Sequence, residues 1–320
     1  VIGDFWRGVG GQLAERWAAA LFSPAFAFWA GGLLAWMSRP GAQGGGWTDR
    51  AVALGRELQG QPVVVQAIYV IGPLVLIVLS GLALQQLAFP VLRALEGYWP
   101  ALLDPLAGRM RARHSRRADA RSVRLRELAA RSLADLTPEQ LAERARLERR
   151  HRRVPARRVQ RMPTRLGNVL RASESRVGAR YGLDAVVCWP RLWLLLPDTA
   201  RRETAAAQTS VLLTVQVCVG GLLFTVWTVW AWWALPVGVL VAAAAYARML
   251  PAASALGDVV ESCFDLHRRL LYEAVHWPLP ANPRDERAAG RRLTVYLYAG
   301  SRRPEPAFVP PAPPEPPPPG

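Results

Sequence analysis

"PVVVQAIYVIGPLVLIVLSGLALQQLAFP", residues 62–90, contains no formally charged side chain. As a helix rising about 1.5 Å per residue, it is longer than a hydrocarbon layer of roughly 30 Å. In water such a helix would expose apolar surface on every side. Among lipid tails that surface is at home, and tilt or interfacial overhang absorbs the excess length. Pro73 predicts a bend, since transmembrane helices tolerate proline. Gln66, Gln85 and Gln86 are the polar exceptions, suited to protein contacts or headgroups. The stretch reads as a membrane span and sets the expected class: an all-α membrane protein.

Three further runs extend that reading. "AAALFSPAFAFWAGGLLAWM", residues 18–37, is about one crossing long, with Trp17 and Trp36 placed for its two boundaries. "SVLLTVQVCVGGLLFTVWTVWAWW", residues 210–233, runs directly into "ALPVGVLVAAAAYARML", residues 234–250. Together they are too long for one crossing, so a hairpin is expected, turning near Pro236. Tryptophans Trp227, Trp230, Trp232 and Trp233 mark the interface there. Arg248 sits where its guanidinium can reach back to the headgroups. The last run is short enough to be re-entrant instead. The expectation is about four transmembrane helices.

Charge sets the expected orientation. All 40 basic residues are arginine, a pattern expected of high-GC coding, and the formal net charge is +16. Residues 91–207 hold 26 arginines against 12 acidic residues, whereas the 38–61 loop, with "GAQGGG", has a net charge of only +1. Arg93 and Arg109 flank one end of the basic segment, and Arg201 and Arg202 the other. The positive-inside rule therefore puts this segment in the cytoplasm and, with two crossings on each side, both termini as well. The expected location is the cell inner (plasma) membrane. The N-terminus shows no basic region before a short apolar core, so no removable signal peptide is expected.

Five regions follow: a first hairpin over residues 1–90, with spans at about 18–37 and 62–90; a basic region, 91–206; a second hairpin, 207–250; a helical region, 251–300; and a tail, 301–320. In the basic region, Leu125, Leu128 and Leu133 give one helix an apolar side. Thr137 predicts an N-cap, with Pro138 in the first turn. Glu143 with Arg146, and Glu148 with Arg152, are spaced to pair along the next helix. Thr164 predicts another helix start, with Gly182 and Asp184 as a break. The apolar piece 185–197 is too short to cross and carries Pro190 and Arg191. Trp189 and Trp193 favour packing at the membrane boundary, the alternative being packing within a soluble cytoplasmic domain. "SALGDVVESCFDLHRRLLYEAVHWPLP", residues 254–280, reads as an amphipathic helix, and "GRRLTVYLYAG", residues 290–300, as a short docked strand or helix. The tail "RRPEPAFVPPAPPEPPPPG" favours extended, disordered polyproline II character.

"PTRLGNVLRASESR" followed by "RYGLDAVVCWPRLWLLLPD", within residues 163–198, resembles a segment of uncharacterised actinobacterial multi-spanning membrane proteins. "FDLHRRLLYEAVHWPLP" and "ERAAGRRLTVYL", within residues 264–297, are similar to their C-terminal part. The resemblance covers about a quarter of the chain. It implies membrane class and a shared architecture, and it carries no catalytic residues onto this sequence.

Motifs for chemistry are absent. There is no phosphate-binding glycine loop with its lysine, no G-x-S-x-G elbow and no H-E-x-x-H. Cys188, Cys218 and Cys263, like the four histidines, follow no metal or disulfide spacing. No cofactor is expected. Arginines near a bilayer attract anionic headgroups, at about 1 kcal/mol each. Aromatic residues for base stacking are missing from 109–180, which disfavours nucleic acid. The expected function is a membrane-anchored scaffold or regulatory protein that binds an anionic lipid surface or a cytoplasmic protein partner. The expected lipid or interface contacts are Arg93, Arg109, Arg191, Arg201, Arg202, Arg248, Trp189, Trp193, Trp230, Trp232 and Trp233. Paired glycines in the spans permit self-association. The alternatives are a small oligomeric channel or transporter using Gln66, Tyr69, Gln85, Thr214 and Gln216, and, more weakly, a membrane-bound enzyme using Asp184 and Asp265.

Overall fold

In the computed structural model, residues 24–38, 52, 55–56, 60–300 and 306–309 are described. The start of the first expected span, most of the 38–61 loop and most of the proline-rich tail lie outside them. The described residues form helices and no strand: α1 Pro24–Met37, α2 Val63–Glu96, α3 Asp104–Ala129, α4 Pro138–Arg152, α5 Arg165–Tyr181, α6 Ala185–Leu195, α7 Asp198–Phe224, α8 Ala234–Ala274 and α9 Pro283–Ala299. Short 3₁₀ turns join some of them. Three helical runs, Val63–Ala129, Asp198–Val229 and Ala234–Ala274, contain windows long and apolar enough to cross a membrane. In the most apolar window of the first run only 6% of residues are buried, and 22% in each of the others.

α8 is one helix of 41 residues where two elements were expected, and it passes through Pro251. That is about 60 Å at 1.5 Å per residue, twice the thickness of a hydrocarbon core. Its early residues are apolar. Its later turns carry Asp258, Glu261, Asp265, Arg268 and Arg269.

The chain divides into two compact units. The first comprises residues 1–93 and 211–249; the second comprises 94–210 and 250–320. In the first unit the buried apolar residues are mostly small: Ala25, Ala35, Ala88, Ala231, Ala234, Ala242 and Ala245. Large apolar residues point outward, among them Val63, Ile68, Ile71, Leu79, Leu82 and Leu240. Small buried residues let helix backbones approach closely, the usual solution where the surroundings are as apolar as the side chains. α7 and α8 illustrate it. A Cβ on Gly238 would lie 2.6 Å from the Gly221 carbonyl oxygen. The turn between these helices is the 3₁₀ stretch Thr225–Val229 followed by the tryptophans; α8 begins at Ala234 and already contains Pro236, near which the turn was expected.

In the second unit, α3 and α4 form an antiparallel hairpin. Thr137 caps α4: its hydroxyl accepts from the Gln140 N–H, and the Gln140 side chain accepts from the Thr137 N–H. Leu128 and Leu136 are buried, whereas Leu133, expected beside Leu128, is exposed because a 3₁₀ turn interrupts the helical period there. The expected pairs within α4 are also rearranged. Glu143 takes Arg124 across the hairpin at 3.0 Å, and Glu148 takes Arg144 at 2.9 Å. The buried Arg161 pins the following loop to α3, donating to Asp119 and to the Ser115 carbonyl.

α5 starts at Thr164, whose hydroxyl accepts from the Gly167 N–H and donates to the Glu96 carbonyl. It ends at Gly182, whose φ of +72° suits glycine. Asp184 then caps α6 by accepting from the Val186 and Val187 N–H groups. The core lies between α5, α6, the end of α8 and α9, built on Leu183, Cys188, Leu192, Phe264, Tyr272 and Leu293.

The α6 segment packs one face inward and presents the other outward. Cys188 and Leu192 are fully buried in that core, and Trp189 and Trp193 pack against it. Its other face presents Val186, Pro190 and Leu194 outward, with Leu194 75% exposed. At the far end, Phe308 rests against Trp277 and Tyr296, with ring centroids 6.4 and 6.1 Å away.

Candidate anionic-ligand surface

Arginine placement follows from helix periodicity. α3 carries Arg109, Arg111, Arg113, Arg116, Arg117 and Arg121 within about three turns, more than one face can hold, so guanidiniums surround its first half. Only Asp104 and Asp119 lie nearby in sequence. Asp119 is already engaged by Arg158 at 2.7 Å and Arg161 at 2.9 Å. In α4 the basic residues gather in the last turn, Arg149 to Arg152, beside the negative end of the helix dipole.

A contrasting group of arginines is fully neutralised. Arg176 and Arg180, four residues apart on α5, face Glu261 and Asp265, four apart on α8. Arg176 Nε donates to Glu261 Oε2 at 2.7 Å, and Arg180 lies 3.0 Å from Glu261 Oε1 and 3.4 Å from Asp265. The Arg180–Glu261 contact is an ion pair off the line of a hydrogen bond, which leaves Oε1 without a donor. Tyr181 donates to Asp265 at 2.6 Å; burial and then that bond hold its phenol above the usual range. Arg268 lies over the Tyr181 ring, 4.3 Å from its centroid, and donates to Glu286 on α9 at 2.6 Å. This network fastens α5, α8 and α9 together. It also occupies Asp265, as capping α6 occupies Asp184.

Clefts lined by arginine open on the second unit. One, of about 340 Å³, lies between α5, α9 and the 156–160 loop and is lined by Arg157, Arg171, Arg287 and Arg291. The second, about 200 Å³, lies beside Arg121, Arg150, His151 and Arg158. The third, about 160 Å³, is lined by Arg149, Arg152, Arg153 and Arg176 with Ser173 and Ser254. No sequence motif announced the first of these. Its two sides lie more than a hundred residues apart, and spacing alone cannot pair them.

The expected contact residues occupy varied positions. Arg93, Arg109 and Arg248 are exposed, on α2, α3 and α8. Arg191 is exposed yet donates to the Val187 and Leu297 carbonyls, bracing α6 against α9. Arg201 pairs with Asp198 at 2.6 Å, and Arg202 donates to the Asp198 carbonyl. Trp189 and Trp193 lie 5.9 Å apart. In the first unit Trp230 stacks on Trp227 at 5.0 Å, and Trp227 in turn meets Phe28 and Trp29 of α1. Trp233 donates to Ser38 at 3.4 Å, while Trp232 is 77% exposed. Trp29 joins α1 to α2 by donating to Ser80 at 3.0 Å.

Cys188, Cys218 and Cys263 are free and buried. Burial pushes the Cys188 thiol up to about 11, so it stays protonated at neutral pH. Among the described residues no three His, Cys, Asp or Glu side chains gather in a way that could hold a metal ion. No protein-family model, curated protein or solved structure matches the chain.

Proposed function

We propose that the protein is a membrane-anchored scaffold or regulator whose arginine-rich unit holds anionic lipid headgroups or an acidic face of a protein partner. It sits in the inner (plasma) membrane with about four crossings, one of them the span expected over residues 18–37, to which α1 belongs. The basic unit and both termini lie on the cytoplasmic side. The observation that carries this reading is the joining of uncovered apolar helices to helices crowded with uncompensated arginines. The first need lipid; the second draw anions toward it, roughly 1 kcal/mol per arginine near the surface.

Trypsin provides the test, because it cleaves after arginine. The chain is reconstituted into phosphatidylcholine liposomes with and without phosphatidylglycerol, and only outward-facing basic units are scored. Cleavage within α3 and α4 is expected to slow severalfold on the anionic liposomes and to recover in high salt, as screening requires. Equal cleavage on both would remove the lipid-binding part of the proposal. Trypsin added outside intact spheroplasts should leave α3 and α4 uncut; cleavage there would reverse the orientation.

A further inference from the structure

We propose that the cleft between α5, α9 and the 156–160 loop is a specific site for a phosphate monoester with an apolar body. The inference rests on the reading of this unit as an anion binder, and narrows it from a charged surface to one place and one chemistry.

The cleft exists because two glycines let the C-terminal end of α5 meet the first half of α9 closely. A Cβ on Gly182 would overlap the Arg287 carbonyl oxygen, and a Cβ on Gly290 would overlap that of Tyr181. α9 therefore docks directly on the C-terminus of α5. That docking brings Arg287 and Arg291, one helical turn apart, to the same cleft as Arg157 and Arg171. Four arginines from three separate parts of the chain line one cleft.

Their compensation is incomplete. The cleft contains two carboxylates, and both are committed. Glu174 pairs with Arg171 at 2.8 Å. Asp184 accepts the two N–H groups that open α6. Arg157, Arg287 and Arg291 are exposed and form no ion pair among the described residues. Arginines scattered over a helix simply point apart into water. Here the docked backbones bring three of them to the wall of one hollow, where an anion would find several within reach. A guanidinium offers paired donors that match two phosphate oxygens, and Gln160 adds an amide at the rim.

The rest of the wall argues against a bare inorganic ion. Ala179 and Val186 supply an apolar side, with the buried Leu183 and Ala185 behind it, and Gly178 leaves its surface low. A volume of about 340 Å³ is within the range of small organic ligands. A phosphate on the arginines with a ring or chain against the apolar wall uses both halves. The same chemistry is presented by a soluble phosphate ester and by a lipid whose headgroup is a phosphate monoester.

Calorimetry on the full chain in phosphatidylcholine nanodiscs tests this, with phenyl phosphate and inorganic phosphate as probes. A second arm measures binding to phosphatidic acid presented in separate vesicles. Phenyl phosphate should bind more tightly than inorganic phosphate. The double variant Arg287→Gln/Arg291→Gln should weaken binding about tenfold or more. In the phenyl phosphate arm the control Arg131→Gln/Arg269→Gln, which removes the same charge from exposed positions lining none of the clefts, should change it less than about twofold. Ala179→Trp, which keeps every charge but fills the hollow, should abolish binding; circular dichroism and gel filtration check its fold. Binding confined to the phosphatidic acid arm, with the same variant pattern, makes the ligand a lipid headgroup. Equal losses in the cleft and control variants, or no binding in either arm, would overturn the site. Slower trypsin cleavage on phosphatidylglycerol would survive that result, so the two proposals fail separately.

Discussion

The two units bury opposite kinds of side chain. In the first, alanine makes up most of the buried residues, with Leu84, Val211, Val215 and Met249 as larger exceptions, while most leucines, isoleucines and valines face out. In the second, Phe264, Tyr272, Leu166, Leu183, Leu192 and Leu293 lie inside, while arginine faces out. Water explains the second arrangement: burying a large apolar side chain removes much surface from it, at about 25 cal/mol per Å². The first arrangement has no such drive. Where the surroundings are lipid tails, an outward leucine costs nothing, and helices associate through close fit instead. The side-chain distribution thus reports the solvent each unit was built for.

The largest expected effect follows from that contrast. Phe264→Ala should destabilise the second unit by about 3–5 kcal/mol, as large-to-small changes in a packed core do. Leu79, 57% exposed on α2, should tolerate the same truncation with less than about 1 kcal/mol lost, provided the protein is held in a lipid nanodisc. Thermal unfolding of both variants in nanodiscs checks this. A loss at Leu79 equal to that at Phe264 would mean that Leu79 meets protein rather than lipid.

A smaller effect is expected at the glycines of the first unit. Gly238→Ala forces a Cβ against the Gly221 carbonyl and should cost about 1–3 kcal/mol. Gly72 has open space where its Cβ would be, so Gly72→Ala should be neutral or stabilise by roughly 0.5–1 kcal/mol through helix propensity. The same unfolding measurement separates them.

The smallest effect is pH-dependent and belongs to the second unit. The Cys188 thiol rises from 9.0 to about 11 in the fold, mainly through burial. A raised acid value favours the neutral form when folded. Its stabilising contribution is complete below 9.0, and it is lost as the pH rises through about 11. Urea unfolding on either side of that window should show stability falling at high pH, and Cys188→Ala should flatten part of the fall. An identical slope in the variant would assign the loss to other groups.

Some features were readable because they are local. An uncharged stretch as long as residues 62–90 has few folded alternatives, and the structure carries it in α2. Thr137, Thr164, Gly182 and Asp184 mark helix ends through hydrogen bonds or backbone angles reaching only a few residues. Ion pairs were less readable. Glu143 has Arg146 on its own helix but takes Arg124 from the neighbouring one. Spacing reveals which partners are in reach along one helix and says nothing of partners that packing supplies.

From the amino-acid sequence alone come the helical class, the apolar runs and the surplus of arginine, because each depends on residue type and local period. The fully buried face of α6, the merging of two expected segments into α8 and the gathering of Arg157, Arg171, Arg287 and Arg291 around one hollow depend on contacts between distant segments. Tertiary packing decided these, since a charge or an apolar face acquires its neighbours only when the helices close on one another.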